Sequence, residues 1–215
     1  MVVQVGLVLC VTIGLGVVSY ILTYSSLKES QRKNLDYLSQ YVGFQINSAI
    51  KNKERLLEKI AKSEAILNYH KKQQENSLAG YFEKYMSEFE TISYVNDKGQ
   101  EEFKSVKSRA VSRYYNISNS ILYQSSINNV NKIFCWYNPF SSELERPCLE
   151  FGICNKDFFD DFAGFVLAKV PVTHITKDIK GFEGSVGTKV ILIDSERTIL
   201  ACLDESKVLS KLEMK

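Results

Sequence analysis

The chain has 215 residues, of which 45% are hydrophobic and 12% aromatic, and a formal net charge of +2. These values allow one or two folded domains and argue against a disordered chain. The charges are spread evenly and no basic block stands out. Nucleic-acid binding is therefore not expected, because it requires concentrated Lys and Arg.

The N-terminal segment is apolar. No charged residue occurs from Val2 to Thr23, and about twenty such residues cross a hydrocarbon core of roughly 30 Å. A secretory signal peptide would begin with basic residues and be shorter. We predict a transmembrane helix over residues 1–24. The basic residues that follow it, Lys28, Arg32 and Lys33, would place the rest of the chain in the cytoplasm by the positive-inside rule, although long domains translocate largely regardless of such charges.

A long amphipathic helix is predicted next. Apolar residues recur at spacings of three, four and seven from Leu35 to Leu67, without a proline. About 45 residues at 1.5 Å each would extend over roughly 60 Å. Because this helix follows the span without a break, we expect a stalk over residues 25–75, through which two copies associate. A shorter helix, capped by Asn76 or Ser77, comes after it.

The period then changes to that of strands. Thr91–Val95 and Gln100–Val106 flank a turn in which Gly99 supplies positive φ, which predicts a β-hairpin. Three further strands are predicted, at Lys132–Tyr137, Cys148–Cys154 and Phe162–Val170. A long turn at Asn138–Pro147 separates the first two, and Pro171 opens a short helix after the third. A last hairpin, Val190–Ile193 with Thr198–Leu203, either completes this sheet or opens a second domain, because a lone hairpin is not stable.

Groups that could perform catalysis do not converge in the sequence. The two histidines, His70 and His174, form no zinc motif, and no nucleophile elbow or phosphate-binding loop occurs. The acidic group around Asp160 lacks the spacing of a calcium loop. We therefore expect no enzymatic activity, no metal and no cofactor.

Aromatic and charged residues are concentrated between Arg109 and Asp161. Small-molecule pockets are mostly apolar and aromatic, with a few polar groups that fix orientation. Each aromatic taken singly is equally consistent with ordinary core. As a group they predict a ligand site; its candidates are Arg113, Tyr123, Trp136 and Tyr137.

The order of these elements resembles the Cache sensor family, whose sheets are PAS-like. Ser93–Glu102 is similar to the first Cache hairpin, Pro147–Gly152 to the third strand, and Phe162–Pro171 to the strand that closes the distal sheet. Lys189–Ala201 is similar to the opening of a second, membrane-proximal unit. The resemblance implies an α+β fold with a distal Cache domain at residues 76–183 and the beginning of a proximal one at 187–215.

This resemblance implies the extracytoplasmic sensing module of a bacterial signal-transduction receptor in the inner membrane. Its stalk would relay a signal to an output domain, such as a histidine kinase or a diguanylate cyclase, beyond Lys215. The alternative is a membrane-anchored structural protein resembling a type IV pilin. Pilins carry an acidic residue early in the apolar helix, and Val2 to Thr23 has none.

The resemblance also suggests the ligand. Relatives that bind amino acids have an aspartate five residues after the glycine of the closing strand, and counting from Gly164 this chain has Lys169. A cation there favours a small carboxylate or similar anion over an amine. We expect Arg113 near Lys169, Trp136 and Tyr137 as apolar walls, and Tyr123 as a hydrogen-bonding tip. In the rival interpretation Lys169 points to solvent and the unit binds nothing.

Two cysteines lie on strands expected to pair. Antiparallel pairing of the strands that contain Cys135 and Cys148 would allow a disulfide if the Cα atoms lie roughly 4.4 to 6.8 Å apart. Buried free thiols are the alternative.

Overall fold

The chain divides into two units, residues 1–47 and 48–215. The structure, a computed structural model, describes residues 2–72, 75–107, 111, 113–156, 162–175, 190–193, 197–202 and 210. It gives the backbone alone for residues 2–12, 70–72, 75–76 and 201. The predicted domain boundaries at 183 and 187 lie outside the described residues.

The N-terminal half is helical. The helices are α1 (Val2–Ala61), α2 (Glu64–Lys72) and α3 (Glu75–Glu83). In the part of the chain that the structure describes, no helix is both long enough and apolar enough to cross a membrane. The side chains of residues 2–12, which form half of the predicted span, lie outside that part.

The stalk helix is shorter than predicted. It ends at Ala61 rather than at residue 75, and α2 begins three residues later. The break has a local cause: the Ser63 hydroxyl accepts a hydrogen bond from the Ile66 N–H at 3.4 Å, as an N-terminal cap does. Glu64 then supplies a carboxylate to the first turn of α2, where it favours the helix dipole. A new helix start therefore interrupts the apolar period.

The C-terminal half contains a five-stranded antiparallel sheet of order β2-β1-β5-β4-β3, which confirms the α+β fold. Its strands are β1 (Thr91–Val95), β2 (Glu101–Val106), β3 (Ile133–Ser141), β4 (Arg146–Lys156) and β5 (Phe162–Pro171). Between β2 and β3 lies α4 (Ile121–Asn128), which the sequence pattern alone had not identified. The short helix α5 (Val172–Ile175) and an antiparallel pair, β6 (Leu192–Ile193) and β7 (Ile199–Ala201), follow.

The long turn predicted at Asn138–Pro147 is wrong. Strand β3 continues to Ser141 and β4 begins at Arg146, so the turn has only residues 142–145. Asn138 pairs with Cys148 and donates a hydrogen bond to Glu150 at 3.0 Å. Pro147 is the second residue of β4, and a strand tolerates proline near its start.

Helices cover one face of the sheet. Tyr69 of α2 packs edge-on against Tyr94 of β1, with ring centroids 4.8 Å apart, and Phe82 of α3 packs against Phe103 at 5.7 Å. The end of α1 also joins this face, because the Asn155 amide of β4 donates a hydrogen bond to the Ala61 carbonyl. These contacts form the first part of the core.

The opposite side of the sheet is covered by α4, and we call it the α4 face. Its apolar cluster consists of Val95, Leu122, Tyr123, Cys154, Phe165 and Leu167. Gly152 allows the helix to approach, since a Cβ there would lie 3.0 Å from Leu122 and 2.6 Å from the Phe165 ring. The apolar cluster occupies only one end of this face.

Substitution of Gly164 tests the packing of the helix-covered face. Gly164 has φ +126°, and a Cβ on it would overlap the Tyr94 ring. We expect Gly164→Ala to lower the free energy of unfolding by about 2–4 kcal/mol, from strain and overpacking together. In Gly80→Ala, where a Cβ on α3 meets nothing within 4 Å, we expect a gain of up to about 1 kcal/mol. Urea unfolding measures both, and equal effects would contradict this packing.

The predicted Cys135–Cys148 disulfide is wrong. Cys135 pairs with Phe151, whereas Cys148 pairs with Asn138, three residues further along β3. Three strand residues span about 10 Å and reverse the direction of the side chain. The two thiols therefore lie on opposite faces, and both are free.

Thiol chemistry should reflect this placement. Burial, followed by the Glu150 carboxylate, raises the pKa of the Cys148 thiol to about 12, so the reactive thiolate is scarce at neutral pH. We expect Cys148 to react with iodoacetamide only after the chain unfolds. Non-reducing peptide mapping should recover the Cys135 and Cys148 peptides unlinked, and a linked pair would contradict the register.

Candidate functional site

The other end of the α4 face holds five charged side chains, which we call the charged cluster. Its members are Glu101, Lys104, Glu143, Glu150 and Lys169. Three carboxylates and two ammonium groups leave an excess of one negative charge. Charges this deep are stable only when paired, because burial removes their hydration.

Lys104 is the most enclosed member, with 0% of its side chain exposed. Its ammonium lies 2.5 Å from Glu101 Oε2 and 3.0 Å from Glu143 Oε1, and it donates to the Arg113 carbonyl at 3.1 Å. The Tyr115 N–H donates to Glu101 Oε2 at 2.8 Å. Three partners match the three N–H bonds of an ammonium group, so Lys104 is satisfied.

Lys169 lies on β5 at the other side of the cluster. Its ammonium is 3.2 Å from Glu143 Oε2 and 3.6 Å from Glu150 Oε1. Burial by itself would lower the pKa of Lys169, but the Glu150 and Glu143 carboxylates outweigh it and raise the pKa above its ordinary value. Lys169 is therefore charged and faces the cluster, so the interpretation in which it points to solvent is wrong.

Several polar atoms of this region are buried without a hydrogen-bond partner among the described residues. They are Thr91 Oγ1, Ser93 Oγ and Glu101 Oε1. Thr91 is directly opposite Lys169 on the sheet, and Ser93 is directly opposite Lys104. Side chains at directly opposite positions share a face, with Cβ atoms about 5 Å apart. The two hydroxyls thus form the floor beneath the two lysines.

Two predicted site residues lie near the cluster. Trp136 is directly opposite Glu150, which is opposite Lys169, so all three share the α4 face. The indole is 47% exposed. The Arg113 side chain is exposed, and its guanidinium carbon lies 5.3 Å from the centroid of the Tyr115 ring. The Arg113 backbone carbonyl accepts the hydrogen bond from Lys104.

The other two predicted residues are placed differently. Tyr123 packs edge-on against Phe165 in the apolar cluster, with centroids 5.2 Å apart. Its hydroxyl lies within hydrogen-bonding distance of the Asn96 and Asp97 carbonyls, at 2.9 and 3.0 Å, and so anchors α4 to the first hairpin. Tyr137 is directly opposite Leu149, one position from Trp136, and lies on the helix-covered face. The structure does not bring these two tyrosines together with Lys169.

Sequence reasoning missed most of the charged cluster. One signal was present: Glu150 interrupts an apolar strand, and a charge at such a position needs a partner. Glu101, Lys104 and Glu143 look like surface residues in a polar stretch, and only the pairing of strands shows that they are enclosed. In the described ranges, no group of three or more His, Cys, Asp or Glu side chains is arranged to hold a metal ion.

Comparison with solved structures identifies the fold. The domain of a sensory box/GGDEF family protein from Vibrio parahaemolyticus superposes with a TM-score of 0.66 at 14% identity, over 80% of this chain and 71% of that one. The sensory domain of a Campylobacter jejuni chemoreceptor superposes with a TM-score of 0.65 at 17% identity, over 88% of this chain and 78% of that one. The ligand-binding domain of a Pseudomonas aeruginosa amino acid chemoreceptor, solved with GABA, superposes with a TM-score of 0.62 at 15% identity. That match covers 84% of this chain and 80% of the other.

This chain has the sensory-domain fold. The resemblance seen in the sequence is thereby confirmed at the level of the fold. No protein-family profile matches the sequence, and no curated protein matches it.

The charged cluster makes a stability prediction. Lys104→Ala leaves the Glu101 carboxylate buried without its cation, so we expect the free energy of unfolding to fall by about 3–5 kcal/mol. Lys62 forms an exposed pair with Glu58 at 2.6 Å, and Lys62→Ala should cost at most about 0.5 kcal/mol. Guanidinium unfolding compares the two variants. Equal losses would show that the cluster does not stabilise the fold.

Proposed function

We propose that residues 48–215 form the sensing domain of a membrane receptor and that the charged cluster binds a small carboxylate. The observation that carries this proposal is the floor of the cluster. Two enclosed lysines flank the Thr91 and Ser93 hydroxyls, which find no acceptor among the described residues. A ligand carboxylate would receive two charges and two hydroxyl donors there, in surroundings where each interaction is stronger than in water.

Solved domains of the same fold support a small ligand. Three of them were solved in complex with GABA, L-valine and L-serine. Each of these molecules carries a carboxylate. We do not extend amino-acid binding to this chain, because the resemblance to Cache domains aligns Lys169 with the aspartate that holds the amino group in amino-acid-binding members. A carboxylate is the shared chemistry that Lys104 and Lys169 suit.

The remaining parts of the proposal concern location and relay. Residues 13–24 expose apolar side chains such as Ile13, Leu15 and Leu22 and carry no charge, which supports anchoring of residues 1–24 in the inner membrane with the sensor outside the cytoplasm. Helix α1 would relay the signal to an output domain, and two copies would pair through it. The sensory-domain fold favours this proposal over the type IV pilin alternative.

Ligand screening tests the proposed function. We expect acetate, succinate or citrate at millimolar concentration to raise the melting temperature of the full chain, because a ligand that binds only the folded state stabilises it. Methylamine and ethanolamine should not. Lys169→Met should abolish the shift, since it removes one of the two cations, whereas Lys98→Met, on the exposed first hairpin turn, should retain it. Differential scanning fluorimetry provides the measurement.

Stabilisation by the amines but not by the acids would contradict the proposal. An acid-induced shift of equal size in Lys169→Met would do the same. Ionic strength must be matched with sodium chloride throughout, because salt alone weakens the contribution of charged pairs.

A further inference from the structure

Glu143 differs from the other members of the charged cluster in the segment of the chain to which it belongs. Glu101 and Lys104 belong to β2, Glu150 to β4 and Lys169 to β5, all within the hydrogen-bonded sheet. Glu143 belongs to the turn 142–145. The four strand residues balance two positive charges with two negative ones. Glu143 alone supplies the excess negative charge, and it alone reaches the cluster from outside the sheet.

The Glu143 carboxylate bridges the two lysines. Its Oε1 lies 3.0 Å from the Lys104 ammonium and its Oε2 lies 3.2 Å from the Lys169 ammonium. Splitting its two oxygens between two cations is the way a protein would hold the carboxylate of a bound molecule. Glu143 thus stands where a ligand carboxylate would receive both charges.

The fit of Glu143 to this position is incomplete. The Thr91 and Ser93 hydroxyls beneath the lysines have no hydrogen-bond partner among the described residues, so neither donates to Glu143. An unsatisfied buried polar group destabilises the folded state. A carboxylate that accepts hydrogen bonds from these hydroxyls would therefore replace Glu143 with a net gain in hydrogen bonding.

We infer that Glu143 is a built-in competitor, a tethered carboxylate that a ligand carboxylate must displace in order to bind. The inference rests on the proposed function. Exchange of one carboxylate for another leaves the charge of the buried site unchanged, so displacement avoids the cost of burying a further charge. A tethered competitor reduces the apparent affinity in proportion to the fraction of time that it is seated.

Displacement would also signal that the site is filled. Leu144, next to Glu143, is buried, as is Ser141 at the end of β3. Ser141 accepts backbone hydrogen bonds from Leu144 at 3.2 Å and Glu145 at 2.7 Å, which makes the turn a compact unit. Release of Glu143 therefore acts on a packed segment between β3 and β4 rather than on a free side chain.

The variant Glu143→Gln tests the inference in the full chain. Glutamine retains the size of the side chain and removes its charge, so acetate and succinate should bind about tenfold or more tightly than to the wild type, as measured by isothermal titration calorimetry. Glu145→Gln, on the exposed part of the same turn, should leave the dissociation constants unchanged. Glu143→Ala serves the same purpose should Glu143→Gln fail to fold. Emission from Trp136, the only tryptophan, reports independently on the same face.

The outcomes separate the two proposals. Tighter binding to the Glu143 variants and not to Glu145→Gln supports the built-in competitor. If the wild type binds acetate or succinate and a folded Glu143 variant binds them equally or more weakly, Glu143 is no competitor, although the proposed function stands. If neither the wild type nor any variant binds acetate, succinate or citrate, the proposed function is overturned and the inference with it.

Discussion

The enclosure of Lys104 is the constraint on which the rest of the site depends. An ammonium group with no exposed surface must find a partner for each of its N–H bonds, and here the partners come from three separate segments: Glu101 on β2, Glu143 in the β3–β4 turn, and the Arg113 carbonyl before α4. Because an unpaired buried charge costs several kcal/mol, these segments stay together unless another carboxylate takes the place of Glu143. Lys104 therefore determines where the segment before α4 and the turn 142–145 lie over the sheet.

The α4 face is divided between two kinds of interaction. At one end, Tyr123 and Phe165 pack beneath α4, and Gly152 leaves room for Leu122. At the other end, the charged cluster replaces apolar packing. Hydrophobic burial is non-directional and tolerates small displacements, whereas paired charges require specific distances. The apolar end thus holds α4 in place, and in the proposed function the charged end selects the ligand.

Strand β4 connects this face with α1, which gives the proposed relay a physical route. Glu150 contributes to the charged cluster, and Asn155 further along the same strand donates to the Ala61 carbonyl at the end of α1. Lys53 of α1 makes a second contact, with the segment that precedes β1. Its ammonium lies 2.7 Å from the Glu88 carboxylate and 5.5 Å from the centroid of the Phe89 ring. A rearrangement of the cluster that shifts β4 would act directly on the end of the helix. Coupling of this kind requires two discrete arrangements of the linking element. The proposed displacement of Glu143 would supply the second one.

Local patterns in the sequence determined the helical N-terminal half, the first hairpin with Gly99 at its turn, and the strands around Cys148 and Phe165, because periodicity and turn chemistry involve neighbouring residues. Lys169 was singled out by the resemblance to Cache domains, not by a local pattern. The end of α1 at Ala61, the separation of Cys135 from Cys148, and the placement of Tyr137 away from Trp136 depended on capping and on strand register, where a shift of one residue moves a side chain to the other face. The charged cluster was decided only by the tertiary structure, since its members come from three strands and a turn. Glu101, Lys104 and Glu143 resemble solvated surface residues until the folded chain encloses them.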